Sequence, residues 1–142
     1  MSEAPSNPDY VARLNEVNRE RLPGLIGMEV TYAGSGLMRA RMAVTPALVA
    51  PIGFLFAPSI VAVADTLCAY GVQLPQGASG FTTAELKCNF MSTIREGAIL
   101  CEARLVHGGR TTQVWDATIT DESSGKLMAL FRCTQIILWP KA

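Results

Sequence analysis

The chain has 142 residues, of which 49% are hydrophobic and 17% are charged, and its net charge is zero. This length suits one domain that buries roughly two-thirds of its unfolded surface. The balanced charge provides no basic surface for nucleic acid or for an anionic membrane, so neither partner is expected.

The first predicted element is a helix that follows a Ser/Pro/Asn-rich segment and runs to about Arg21. Asn7 or Asp9 can cap this helix, and a Leu-Pro-Gly sequence ends it. Strand patterns follow over residues 26–32 and 37–44. The Ala-Gly-Ser-Gly sequence between them indicates a hairpin.

Residues 58–70 form the predicted centre of the fold, because they are apolar on nearly every side of a helix. Pro58 suits the first turn, and Gly71 stands where the helix should stop. A helix that is apolar all round is buried. Burying an ionised carboxylate costs several kcal/mol unless it is paired, so Asp65 is the first candidate for chemistry. A purely structural role, as a strand cap or an arginine partner, is the alternative.

Four further strands are predicted after a turn-rich connection, and their short separators indicate a mostly antiparallel meander. Alternation in the first of them places Thr83 on the opposite face from Ala84 and Leu86, so Thr83 reaches the site around Asp65 only near a subunit boundary. An ordinary strand threonine with no role in the site is the alternative. The strands are Phe81–Met91, Ala98–His107, Thr111–Thr120 and Lys126–Leu138.

These elements predict an α+β fold in which a six-stranded antiparallel sheet wraps around one long central helix, with a further helix at the N-terminus. No internal repeat or second boundary is visible. We therefore assign residues 1–21 to an N-terminal extension and residues 22–142 to a single domain. Because few charged residues are available to cover a monomer, a homo-oligomer is expected.

The cysteine and histidine content argues against a metal site. Cys68, Cys88, Cys101 and Cys133 lie far apart without a Cys-x-x-Cys pair, and His107 is the single histidine. We expect reduced thiols that pack as small hydrophobic groups. The N-terminal residues lack a basic segment followed by an apolar one, so no signal peptide is predicted and the cytoplasm is the expected location.

Several short motifs occur in a characteristic order between Leu22 and Leu138. They are Val63-Ala64-Asp65-Thr66 in the helix, the Thr-Ala-Glu-Leu-Lys-Cys-Asn-Phe-Met segment at 83–91, Glu96-Gly97, the segment 107–112, and Asp121-Glu122 with the segment 125–129. In this joint order the chain resembles the hotdog-fold acyl-CoA thioesterases of the phenylacetate-degradation (PaaI-like) type.

The resemblance implies three catalytic positions. Asp65 matches the family's acidic residue, which orients water or attacks the thioester, and Thr83 matches an assisting hydroxyl. The backbone N–H of Ala57 matches the donor that polarises the thioester oxygen. The family's His-Gly-Gly phrase is replaced here by Phe56-Ala57-Pro58, and its upstream asparagine falls near Ala50. The helix N-terminus still supplies a positive dipole end.

The Gly108-Gly109-Arg110 turn is a candidate for holding the nucleotide phosphates of coenzyme A, or it does no more than reverse the chain. The Phe54-Leu55-Phe56 run is compatible with an acyl tunnel or with the core. His107 is badly placed to pair with an acid, which disfavours a hotdog hydratase or dehydratase.

The resemblance therefore predicts an acyl-CoA thioesterase that releases a carboxylic acid and free coenzyme A. It implies sites formed where two subunits of a homodimer or a dimer of dimers meet. No metal or prosthetic group is expected, since coenzyme A enters as part of the substrate. The alternative is a non-catalytic acyl-CoA-binding or scaffold protein, which the missing His-Gly-Gly phrase favours.

Overall fold

One curved sheet and one long helix make up the fold in the computed structural model, which describes residues 2–142. The sheet wraps around the helix α3, and this confirms the predicted hotdog architecture. The elements are α1 (Pro8–Asn18), α2 (Leu22–Leu25), β1 (Met28–Gly34), β2 (Leu37–Ala43), a 3₁₀ turn (Pro46–Leu48), α3 (Ala57–Gly71), β3 (Gly80–Phe90), β4 (Ala98–Gly108), β5 (Thr112–Asp121) and β6 (Leu127–Leu138).

Helix α3 fills the concave side of the sheet because its apolar side chains continue around the helix. Val63, Ala64 and Leu67 are fully buried, and burying a side chain the size of valine or leucine contributes about 1.5–3 kcal/mol. The helix ends at Gly71 against the indole of Trp115, where an added Cβ would come within 2.4 Å of the ring. Glycine is therefore required at this position by close packing.

The strand order β1-β2-β4-β5-β6-β3 departs from a simple meander. The last three strands do form one, but β3 pairs with β6 instead of β4, and β2 lies beside β4. The reason is that α3 crosses the concave face between β2 and β3. The chain therefore enters the sheet again at the edge opposite to the first hairpin.

The two edges of the sheet differ in how they are covered. On β1, the Asn15 side chain donates to the carbonyl of Val30 at 2.9 Å and accepts from its N–H at 2.8 Å. The N–H of Asn7 donates to the carbonyl of Ala33 at 2.8 Å, and Ser6 Oγ accepts from the N–H of Ala33. No strand or helix within residues 2–142 pairs with the outer edge of β3 in this way.

Helix α1 is shorter than predicted, ending at Asn18 rather than near Arg21. Asn7 is its N-cap, and its side chain accepts from the N–H of Tyr10 at 3.1 Å. Helix α1 ends at Asn18 because the Leu22-Pro23 pair starts the separate short helix α2. Within the described range 2–142, no helix combines the length and the hydropathy needed to span a bilayer.

Candidate active site

Asp65 lies in the middle of α3 and faces the edge strand β3. The Thr83 hydroxyl lies 3.1 Å from its Oδ1 and can donate to it. The Asp65 side chain is partly exposed and lies on the half-buried side of α3, so the burial expected on all sides of this helix is found on one side only. The structure therefore brings together two of the three predicted catalytic residues, Asp65 and Thr83. The Thr83 side chain contacts the Asp65 carboxylate at a partly exposed position.

Thr83 reaches Asp65 because of a β-bulge that the sequence pattern does not reveal. Thr83 and Glu85 face consecutive residues of β6, so Ala84 is an extra residue in the ladder. The bulge turns Thr83 to the same side of the sheet as Leu86. The predicted opposite orientation of Thr83 and Leu86 is therefore wrong, since simple alternation holds only along an unbulged strand.

Gln135 is a third polar side chain at this position, and the sequence analysis missed it. Its Oε1 lies 3.1 Å from Thr83 Oγ1, its Nε2 lies 3.4 Å from Cys133 Sγ, and the side chain is completely buried. A signal was present, because Gln135 interrupts the alternating buried row Phe131, Cys133 and Ile137. A polar amide in such a row must find hydrogen-bond partners inside the protein.

Ala57 is the first residue of α3, as the oxyanion role requires. Its N–H has no acceptor among the backbone hydrogen bonds of residues 2–142, which is usual for the first turn of a helix. The Phe56 N–H donates to the carbonyl of Leu48 at 2.7 Å and fixes the approach to the helix. The N-terminus of α3 thus presents a free donor at its positive end.

The Phe54-Leu55-Phe56 run divides between core and surface. Leu55 belongs to the core, whereas Phe56 is 50% exposed beside Ala57. Phe54 lies against the guanidinium of Arg95, which is 4.2 Å from its ring centroid. Only Phe56 therefore offers an exposed apolar ring immediately next to the helix N-terminus.

The Gly108-Gly109-Arg110 turn lies at the other end of α3. Gly108 and Gly109 line a cavity of about 320 Å³ together with Gly71. The Arg110 guanidinium lies 4.6 Å from the ring centroid of Trp139, whose indole N–H donates to the Arg110 carbonyl at 3.2 Å. The turn is exposed and is not brought into contact with Asp65.

The thiols of Cys68 and Cys133 are buried and interact electrostatically with Asp65. A hydrogen bond to Cys133 and burial both raise the pKa of Cys68. Burial also raises the pKa of Cys101 to about 12. All four cysteines carry free thiols. Cys68 and Cys101 are therefore neutral at physiological pH.

Comparison with known proteins identifies the family to which this chain belongs. The family model described as Thioesterase superfamily matches residues 52–128, which is more than half of the chain and includes α3 and β3. This chain belongs to the thioesterase superfamily. The protein is accordingly a thioester hydrolase.

Relatives extend the similarity to nearly the whole chain. The 1,4-dihydroxy-2-naphthoyl-CoA hydrolase of Escherichia coli K12 is 30% identical over 132 residues, covering 88% of this chain and 92% of the relative. A variant of thioesterase PA1618 from Pseudomonas aeruginosa has a TM-score of 0.84 at 25% identity, covering 90% of this chain and 93% of that one. The E. coli PaaI protein shares the fold, with a TM-score of 0.78 at 20% identity, covering 90% and 91%.

Proposed function

We propose that this thioesterase hydrolyses an acyl-CoA to a carboxylic acid and free coenzyme A. The observation that carries the proposal is the Thr83 hydroxyl bonded to Asp65, the single charged side chain of α3. The superfamily supports a thioester as the bond that is broken. The E. coli relative, which is named as a CoA hydrolase, supports coenzyme A as the thiol.

In the proposed reaction, Asp65 acts as general base and takes a proton from a water molecule. The water oxygen forms a bond to the thioester carbon, and the developing oxyanion accepts a hydrogen bond from Ala57 N–H. Collapse of this intermediate breaks the C–S bond, and the departing thiolate takes up the proton. Direct attack by the Asp65 carboxylate, followed by hydrolysis of the anhydride, gives the same products.

One subunit cannot bring both groups to a single thioester. Ala57 and Asp65 are eight residues apart in α3, which corresponds to about 12 Å along the helix axis. A base that acts through the attacking water and an oxyanion donor on the same carbonyl group lie within roughly 9 Å of one another, since each of the three contacts spans about 3 Å. We therefore propose that Ala57 of one subunit acts with Asp65 and Thr83 of a second copy.

The bare edge of β3 is the proposed pairing surface for that second copy. Thr83 lies on this strand, so an antiparallel pairing of two β3 strands would place two Asp65 groups near the subunit boundary. Exposed apolar side chains on β3 also favour burial there: Leu86 is 43% exposed and Phe90 is 48% exposed. The proposed chemistry and the exposed surface thus both support a homodimer, or a dimer of dimers.

The remaining parts of the substrate are assigned from the surface around the site. The exposed Phe56 ring favours an apolar or aromatic acyl group. The Gly108-Gly109-Arg110 turn is proposed to hold the nucleotide phosphates, and no metal or prosthetic group is required. The four free thiols favour a reducing compartment such as the cytoplasm.

The experiment that tests this function measures thiol release from a panel of aromatic and aliphatic acyl-CoAs by wild type and by Asp65→Asn. We expect kcat to fall by about 10²–10⁴ in the variant, the range for losing a general base, with KM little changed. Equal rates in both proteins would remove Asp65 from the mechanism. Binding of acyl-CoA without turnover by the wild type would instead support the non-catalytic binder.

A further inference from the structure

Thr83 stands between Asp65 and Gln135 with too few protons for both. Its Oγ1 lies 3.1 Å from Asp65 Oδ1 and 3.1 Å from Gln135 Oε1. A hydroxyl carries one proton, and both a carboxylate and an amide oxygen can only accept. With Asp65 ionised and Gln135 Oε1 facing the hydroxyl, one of the two short contacts would join two acceptors.

A half-turn of the Gln135 amide removes this conflict, because it exchanges the positions of Oε1 and Nε2. Nε2 then donates to Thr83 Oγ1, and the Thr83 proton is left for Asp65. On the other side of the amide, Oε1 takes the position 3.4 Å from Cys133 Sγ and can accept from its S–H. The donors of this hydrogen-bond chain, which are Cys133 S–H, Gln135 Nε2 and the Thr83 hydroxyl, then all point toward Asp65.

We propose that Gln135 is a positioning residue for the hydrolysis, one that fixes the direction of the Thr83 hydroxyl so that its proton points at ionised Asp65. This inference rests on the proposed function. The Gln135 amide is completely buried, and the side-chain contacts that can set its orientation are those with Thr83 and Cys133. The opposite orientation matches only a protonated Asp65, which cannot act as a base.

The groups around Asp65 limit the sources of any pH effect. Cys68 on α3 and Cys133 on β6 are the titratable side chains within residues 2–142 that interact electrostatically with it. Glu85 of β3 accepts from the Thr134 hydroxyl at 2.9 Å on the outer face of the sheet. A change in the acidic limb of the pH–rate profile after a Gln135 substitution is therefore attributable to the Thr83–Asp65 contact.

The test is a cycle of Gln135→Met, Thr83→Val and the double variant, assayed with the best acyl-CoA of the panel. Gln135→Met should lower kcat severalfold with KM unchanged and should move the acidic limb to higher pH, because the Thr83 hydroxyl loses the N–H donor that directs its proton toward Asp65. In the Thr83→Val background it should have no further effect, because Gln135 acts through Thr83.

A matched control is Gln113→Met, which makes the same change at another buried glutamine of the sheet. Gln113 bonds to the Gln73 carbonyl and to Trp115 Nε1, away from Asp65. This variant should retain the wild-type pH profile even where its stability falls. The inference is overturned if Gln135→Met keeps wild-type kcat and pH profile while Asp65→Asn is inactive, or if the Gln135 and Thr83 effects multiply.

A measurement that needs no turnover separates this inference from the proposed function. The side-chain amide resonances of Gln135 in the wild type should shift as pH is lowered, and this shift should be absent in Asp65→Asn. The Gln113 amide resonances should not move in either protein. If no acyl-CoA is hydrolysed but the Gln135 shift is seen, the function fails and the hydrogen-bond chain stands. Gln135 resonances that behave in the same way in the wild type and in Asp65→Asn would refute the proposed hydrogen-bond chain.

Discussion

Thr83 Oγ1 lies 3.1 Å from Asp65 Oδ1, and this contact joins the edge strand of the sheet to its central helix. The contact holds the lone carboxylate of α3 in one direction, toward the open border of the fold. It also places the candidate base beside β3, whose outer edge is not paired by another element within residues 2–142. In the proposed function, catalysis and self-association are therefore linked through the same two residues.

The Thr83 hydroxyl can be tested by two substitutions that differ in one group. Thr83→Val keeps the shape and removes the hydroxyl, and we expect kcat to fall about tenfold because a hydrogen bond to a charged group is lost. Thr83→Ser retains the hydroxyl and should stay within about threefold of wild type. Steady-state kinetics with one acyl-CoA measure both. A serine variant as impaired as the valine variant would contradict the assigned role.

The bounds of α3 are encoded in neighbouring residues of the sequence, whereas the orientation of Thr83 is not. The predicted helix over 58–70 matches α3 (Ala57–Gly71) to within one residue at each end, because its apolar pattern and its bounding proline and glycine are local signals. The orientation of Thr83 could not be predicted, since the bulge at Ala84 arises from pairing with β6 and carries no glycine to mark it.

Gln135 illustrates a different limit of prediction. Its burial was visible in the alternation of β6, but the identity of its partner was not. Thr83 and Gln135 are 52 residues apart, and they meet only because β3 pairs with β6 instead of β4. The strand order thus determines the composition of the site, and strand order depends on tertiary packing around α3.

The oxyanion donor can be tested at Ala57, the first residue of α3, where proline is tolerated. Ala57→Pro removes the N–H, and the extended backbone of Phe56 (φ −65°, ψ 114°) is compatible with a following proline. We expect kcat to fall by about 10²–10³. Ala57→Gly keeps the N–H and should retain most activity. Comparable kcat values for the proline variant and wild type would exclude this donor.

Arg110 provides a test of coenzyme A recognition that does not depend on the chemical step. We expect Arg110→Ala to raise KM for an acyl-CoA about tenfold with kcat unchanged, since a charge-assisted contact to phosphate is lost. The same acyl group on pantetheine lacks the nucleotide phosphates and should show no difference between the two proteins. An equal change in KM for both substrates would mean that Arg110 acts through its packing on Trp139.

Stability should depend on pH through Glu102, which lies on the outer face of the sheet. Burial alone would raise the pKa of Glu102, but hydrogen bonds from Arg39 and Arg104 outweigh it and lower that pKa. A carboxyl group whose folded-state pKa is lowered contributes stability above its unfolded pKa, and this contribution disappears as pH falls through the folded value.

Glu102→Gln should therefore be less stable than wild type at pH 7, and the difference should shrink as pH falls below about 4. Denaturant unfolding at a series of pH values measures it. The effect is modest because the Glu102 side chain is 35% exposed to solvent. A stability difference that stays constant between pH 7 and pH 3 would show that the two arginines do not act through the charge of Glu102.

Self-association through β3 can be tested by placing a charge on that edge. Leu86→Glu would bury an unpaired carboxylate in the proposed contact, and we expect dimer affinity to weaken roughly thirtyfold or more, corresponding to about 2 kcal/mol. Light scattering measures the mass of the assembly. The activity per subunit of Leu86→Glu should rise with protein concentration as dimers form. Leu100→Glu makes the same change at a leucine that is 39% exposed on the outer face of β4, and its β3-paired dimer should persist. A wild-type protein that is monomeric and fully active would show that Ala57 and Asp65 act without a second copy.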